Sequence, residues 1–226
     1  LCGIGSRLER YLEAMGIKTC GELGRFPVKE LVNKFGVIGN KLHQMRLGID
    51  ENPVVPIEDT PDAKSVGHSM TLKRNVSDGE EMEKYLLQLS EMVGRRLRRG
   101  HYFGRTVAMT LRYSNFQTFT KRCTVKEYIN DGFDIYLVAL DIVKKIRLKY
   151  TVRLLGVSVS NLVTNYCQIP LFKKDRDRIS VLQTMDKIND RYGEFSITQA
   201  RLLDRYSHKG VIAPAWRPAG IRNVNY

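Results

Sequence analysis

From residue 65 to residue 162 the hydrophobic pattern passes through six segments, and their order leaves few folds open. Residues 65–72 alternate, with Val66, Met70 and Leu72 on one face and Ser65, Gly67, Ser69 and Thr71 on the other, as a half-buried strand does. Ser77 stands three residues before Glu80, the spacing of a capping box. The helix predicted behind it carries Met82, Leu86, Leu89, Val93 and Leu97 in one stripe and ends at Gly100. A second strand puts Val107, Met109, Leu111 and Tyr113 inward, with Thr106, Thr110 and Arg112 outward. After a turn at Ser114-Asn115-Phe116-Gln117, a third strand turns Phe119, Cys123 and Val125 inward and Thr118, Thr120, Arg122 and Thr124 outward. Asn130-Asp131-Gly132 then opens a helix with Ile135, Ala139, Ile142 and Ile146 on one side. The last strand, residues 152–162, sets Leu155, Val157 and Val159 against Gly156, Ser158 and Ser160. This β-α-β-β-α-β order predicts an α+β domain, a four-stranded sheet with two helices on one face.

The uncovered face is predicted to show Ser, Thr, Gly and Arg, with no carboxylate and no large apolar group. Small side chains let another backbone approach, and hydroxyls and strand-end N–H groups can donate to phosphate oxygens. A face that merely meets water mixes Glu with Lys. Charge agrees: 37 Lys and Arg against 24 Asp and Glu give a net +13, which favours a polyanion or an anionic membrane surface. From residue 95 to 126 there are nine basic residues, Arg95, Arg96, Arg98, Arg99, Arg105, Arg112, Lys121, Arg122 and Lys126, and no carboxylate. No apolar run approaches the roughly 18 residues that span a bilayer, and no signal peptide is visible, so no membrane partner is expected. The four cysteines, Cys2, Cys20, Cys123 and Cys167, are scattered and read as reduced thiols of a cytoplasmic protein.

Upstream, Gly3-Ile4-Gly5-Ser6-Arg7 and Gly36-Val37-Ile38-Gly39-Asn40-Lys41 are paired glycine hairpins, each leading into an amphipathic helix. Glycines allow a tight turn with outward N–H groups, and the helix N-terminus behind adds its own donors and positive dipole. Duplicated, such a device grips phosphates without reading bases. Pro53, Pro56 and Pro61 fall within nine residues and mark an extended linker. The expected organisation is a small all-helical domain at residues 1–52, a linker at 53–63, a sheet domain at 64–165 and a tail at 166–226.

These residues carry a resemblance. Residues 1–50 resemble the thumb of Y-family translesion DNA polymerases, with its helix-hairpin-helix elements. Lys64-Ser65-Val66-Gly67-His68-Ser69-Met70-Thr71-Leu72 resembles the opening of that family's little-finger domain, and Arg153-Leu154-Leu155-Gly156-Val157 its last strand. The stretch Met185-Asp186-Lys187-Ile188-Asn189-Asp190-Arg191-Tyr192-Gly193 is similar to the extension in the bacterial UV-damage repair and mutagenesis branch. The resemblance implies primer-template DNA as partner, gripped by both hairpins, by Lys64, Ser65, Gly67, His68 and Ser69, and by Arg105, Arg112, Lys121, Arg122, Arg153 and Ser158. Ser158 and Leu154 stand where the family has basic residues, leaving Arg153 as the one carried over from that strand. Catalysis in the family uses palm carboxylates holding two magnesium ions. Palm and fingers precede the thumb, so this chain is expected to be a piece of a longer polymerase, with no catalytic residue, metal site or cofactor of its own. Gln168-Ile169-Pro170-Leu171-Phe172 resembles the peptide by which bacterial polymerases dock on the sliding clamp, with Leu and Phe filling an apolar pocket and proline holding the segment extended. The implied setting is damage tolerance in the SOS response, at the nucleoid. The alternative is a non-catalytic nucleic-acid-binding protein with a split βαβ sheet; such RNA binders stack bases on central-strand aromatics, where this face has Ser, Thr and Arg. An independent enzyme fits poorly, because His43, His68, His101 and His208 are dispersed.

Overall fold

The computed structural model describes residues 1–56, 59, 62–164, 166 and 171–205, with side chains through residue 203. Two compact units divide the chain, Leu1–Thr60 and Pro61–Tyr226.

The first unit is four short helices, α1 (Ser6–Ala14), α2 (Cys20–Arg25), α3 (Val28–Phe35) and α4 (Val37–Arg46). Leu12, Ile17, Leu23, Leu31 and Leu42 form its core, with Ile4, Leu8, Met15, Phe26 and Phe35 packed around them. A capping box starts α2: Thr19 Oγ1 accepts from the Glu22 N–H, and the Glu22 carboxylate accepts from the Lys18 and Thr19 N–H groups. Those two backbone donors hold the Glu22 carboxyl below the usual carboxylate range. Only Gly36 separates α3 from α4, at φ 63°, a conformation that glycine adopts without strain.

The second unit contains β1 (Ser65–Val76), α5 (Gly79–Arg99), β2 (Tyr102–Tyr113), β3 (Thr118–Ile129), α6 (Gly132–Lys144), β4 (Val152–Thr164) and α7 (Lys173–Tyr192), followed by a short 3-10 helix, Ala200–Arg205. All pairs in the sheet are antiparallel, in the order β1-β4-β2-β3. One sheet face packs on α5 and α6, burying Met70, Leu72, Val107, Met109, Leu111, Leu155, Val157 and Val159 against Leu86, Leu89, Val93, Leu97, Ile135 and Ala139. The α5–α6 crossing is tight, since a Cβ on Gly94 would lie 2.5 Å from the Gly132 nitrogen.

Element order, inward residues and helix stripes match the sequence reading; three local details differ. The N-cap of α5 is Asp78, whose carboxylate accepts from the Glu81 N–H at 2.9 Å, one residue later than the Ser77 box. In β3 the register slips between Thr124 and Ile129, so Ile129 packs on the core and Val125 does not. The second helix ends at Lys144, and Ile146 packs on the core from just beyond it.

The tail from residue 171 folds back on the same unit. Arg98 forks onto Asp186, with Nε to Oδ2 at 2.6 Å and Nη2 to Oδ1 at 2.8 Å, while its Nη1 donates to the Asn130 carbonyl. Arg95 pairs with Asp190 and Glu194, and Arg178 of α7 pairs with Asp131 and Asp134. Asn189, itself buried, fixes the return by bonding the backbone of Ile197 in both directions. Leu202 of the 3-10 helix is fully buried in the core, worth roughly 2 kcal/mol for a side chain of that size.

Candidate nucleic-acid interface

Register sets what the open face of the sheet shows. Opposite residues run Thr118–Arg112–Leu154–Thr71, Thr120–Thr110–Gly156–Ser69, Arg122–Ala108–Ser158–Gly67 and Thr124–Thr106–Ser160–Ser65 across β3, β2, β4 and β1. This grid holds ten hydroxyls, two glycines, two arginines, Ala108 and Leu154, and it holds no carboxylate. 

Of these hydroxyls that of Thr106 is buried, bonded to Thr124 Oγ1 and to Asn161 Nδ2 at 2.9 Å each. Thr110 and Thr120 share a further cross-strand bond, and Arg112 Nε donates to Thr118 Oγ1 at 2.8 Å. A Cβ on Gly67 would lie 2.7 Å from the Ser158 Cβ, so β1 and β4 close up only because glycine stands there.

Leu154 is the one departure from the expected composition of this face. It lies between Arg112 and Thr71, on the same parity of β4 as Gly156, Ser158 and Ser160.

Two expected contact residues are not on this face. His68 pairs with Val157 and Lys121 with Met109, and both partners are buried on the helix side. His68 is half-buried there, on the same parity as Val66 and Met70, while Lys121 is exposed at the β3 edge. The basic run from residue 95 to 126 also divides. Arg95, Arg98 and Arg99 are paired with carboxylates of α7 or the turn after it, and Arg96 donates to the Gly67 carbonyl. Arg105, Arg112, Arg122 and Arg153 behave otherwise: among the described residues none has a carboxylate within ion-pair distance. Lys64 and Ser65 are exposed at the start of β1, and Ser69 is exposed further along it.

The sequence reading missed the aromatics at the ends of the sheet. Arg105 lies 5.5 Å over the Tyr128 ring, which leans on Tyr166 and, through it, Phe103. Arg153 lies 5.0 Å over the ring of Phe116, in the β2–β3 turn. Neither pair shows as a local pattern, because the partners are 23 or more residues apart in the chain and only the sheet unites them.

In the first unit, Gly3, Gly5, Ser6, Arg7, Leu8, Tyr11, Lys34 and Phe35 line an open groove of about 760 Å³. Gly5 caps α1 without a side-chain bond, so the first-turn N–H groups have no intrahelical acceptor and no cap. The second hairpin departs from expectation at Gly39. Because α4 begins at Val37, Gly39 lies inside the helix, where a Cβ would be 2.2 Å from the Leu31 carbonyl oxygen. It packs against α3, and its N–H donates to the Gly36 carbonyl at 2.9 Å. Asn40 and Lys41 are exposed in the first half of α4.

In the proposed docking peptide, Gln168, Ile169 and Pro170 lie outside the described residues. Leu171 is 82% exposed and Phe172 69% exposed, immediately before α7. Among the described residues no group of three or more His, Cys, Asp or Glu side chains could hold a metal ion. No described helix is long and apolar enough to cross a membrane.

Known proteins match both units. A family model described as the DNA polymerase-iota thumb domain matches residues 1–50, and one described as the impB/mucB/samB family C-terminal domain matches residues 63–171. DNA polymerase IV of Moorella thermoacetica is 40% identical over 202 residues, covering 88% of this chain and 50% of that protein. DNA polymerase IV of Pelotomaculum thermopropionicum is 37% identical with the same coverage, and DNA polymerase IV 2 of Bacillus subtilis is 34% identical over 210 residues, 89% of this chain and 50% of that protein. The chain spans about half the length of the curated relatives it matches. Thumb model, C-terminal-domain model and relatives agree in order and extent, and the chain belongs to the Y-family DNA polymerases, of which it carries the thumb and the C-terminal domain.

Proposed function

We propose that this chain is the DNA-binding portion of an error-prone translesion polymerase, holding primer-template DNA by its phosphates and docking on a sliding clamp through residues 168–172. The observation that carries the reading is the open sheet face, a hydroxyl-rich surface without carboxylates, with Arg112 and Arg122 on it and Arg105 and Arg153 near its ends. A phosphate backbone can lie close over Gly67, Gly156 and the serines, while the arginines neutralise it. The groove at Gly3, Gly5, Ser6 and Arg7 and the uncapped N-terminus of α4 supply further N–H donors in the thumb. Side chains placed to read base edges are few, so binding is independent of sequence. In this reading magnesium and the chemical step belong to the palm of the longer polymerase, together with the fingers.

The test is a salt titration of duplex binding. Affinity is expected to fall with log salt at about −0.9 per phosphate neutralised, with equal loss for all sequences when Arg112→Glu and Arg122→Glu are combined. Salt-insensitive or base-specific binding would overturn the reading.

A further inference from the structure

The β2–β3 turn holds an aromatic side chain where folding does not ask for one. Phe116 is 64% exposed and has φ 66°, a left-handed conformation that Asn or Gly adopts far more readily than Phe. The turn enforces that conformation from several sides. The Phe116 N–H donates to the Tyr113 carbonyl at 3.0 Å, Gln117 N–H to Asn115 Oδ1 at 3.1 Å, and Thr118 Oγ1 to the Phe116 carbonyl at 3.2 Å. Thr118 in turn accepts from Arg112, so the turn is wired to a phosphate-facing arginine. Across the sheet, the Arg153 guanidinium sits 5.0 Å over the Phe116 ring, and no carboxylate competes for it among the described residues. The result is a flat ring held at one end of the open face, with a cation on one side of it.

We propose that Phe116, backed by Arg153, is a stacking platform for an unpaired nucleobase at the junction where duplex leaves the open face. The inference rests on the phosphate-binding reading above and adds a base-stacking subsite to it. Every base has a π-face, so such a platform binds single-stranded DNA without selecting sequence, in keeping with a face that lacks base readers. The cation strengthens it, because a guanidinium attracts both the ring and a neighbouring phosphate.

The experiment compares a blunt DNA duplex with the same duplex carrying a short single-stranded overhang, with 2-aminopurine as the first unpaired base. Wild-type chain is expected to bind the overhang substrate about tenfold tighter and to quench the 2-aminopurine, and that advantage should survive added salt that weakens the duplex contacts. Phe116→Gly removes the ring and suits the left-handed turn, so its melting temperature should be equal or higher while the overhang advantage and quenching disappear. Phe116→Trp should restore both. If blunt duplex binds but the overhang adds nothing, or if Phe116→Gly keeps the advantage, the platform is wrong and phosphate binding stands. Failure to bind either substrate overturns both.

Discussion

Glu91 is placed where a carboxylate is uncomfortable. It lies in the middle of α5, against which the start of α6 presses so closely that a Cβ on Gly132 would be 2.6 Å from the Glu91 Cα. Gln199 Nε2 donates to its Oε1 at 2.9 Å. Burial and then the neighbouring Asp131 carboxylate push its pKa up, and Arg98 and Gln199 offset that only in part. The sign follows from linkage. The folded state holds the Glu91 proton more tightly than the unfolded chain, so stability falls as pH rises from the ordinary carboxylate range through the raised folded value, and the loss is complete above it. Glu91→Gln keeps an oxygen for Gln199 and cannot ionise. It is expected to melt higher than wild type at pH 7 to 8, with the difference vanishing below the ordinary carboxylate range, as melting curves at a series of pH values would show. A variant less stable at neutral pH would mean that the ionised carboxylate is needed by Arg98.

Element by element, the sequence told most about what repeats and least about what meets from afar. Period two at Val107, Met109 and Leu111 and the stripe from Met82 to Leu97 gave strands and helices in the right order, because alternation and helical spacing are local consequences of burial. The same parity puts His68 with Val66 and Met70, and Lys121 two residues from Phe119 and Cys123, on the face that carries the helices. Arg95 to Arg99 are a different case. Their carboxylate partners lie on α7, with Asp186 88 residues after Arg98, and no local pattern announces a pairing over that distance. Gly39 was legible as a glycine but not as a packing position, since its neighbour is the carbonyl of Leu31 on another helix. The tail is therefore a structural strap on the sheet unit. The Arg98–Asp186 side chains are 13% and 17% exposed, so removing one partner strands the other away from water. Asp186→Ala should cost about 3 kcal/mol by urea unfolding, the lower end for a broken buried pair. A loss below about 0.5 kcal/mol, as for a surface pair, would mean that α7 is only loosely attached.

Across the whole molecule, the strap begins at Leu171 and Phe172, immediately before α7 of the second unit. Leu171 and Phe172 stay largely exposed, and they meet the following helix through backbone: the Leu171 and Phe172 carbonyls accept from the Arg176 side chain and N–H. Replacing both side chains by Ala leaves those bonds in place, so the expected change in unfolding free energy stays within about 0.5 kcal/mol. Binding to a processivity clamp, expected in the micromolar range for a short peptide with few anchors, should be lost in the double variant because both apolar groups leave the pocket together. Duplex binding through the sheet should be unchanged, and so should the salt slope that measures it. Titrating an immobilised clamp with wild-type and variant chain, alongside melting curves, separates the outcomes. A large drop in melting temperature with no clamp binding in the wild type would make Leu171 and Phe172 packing residues of the strap and refute the docking peptide.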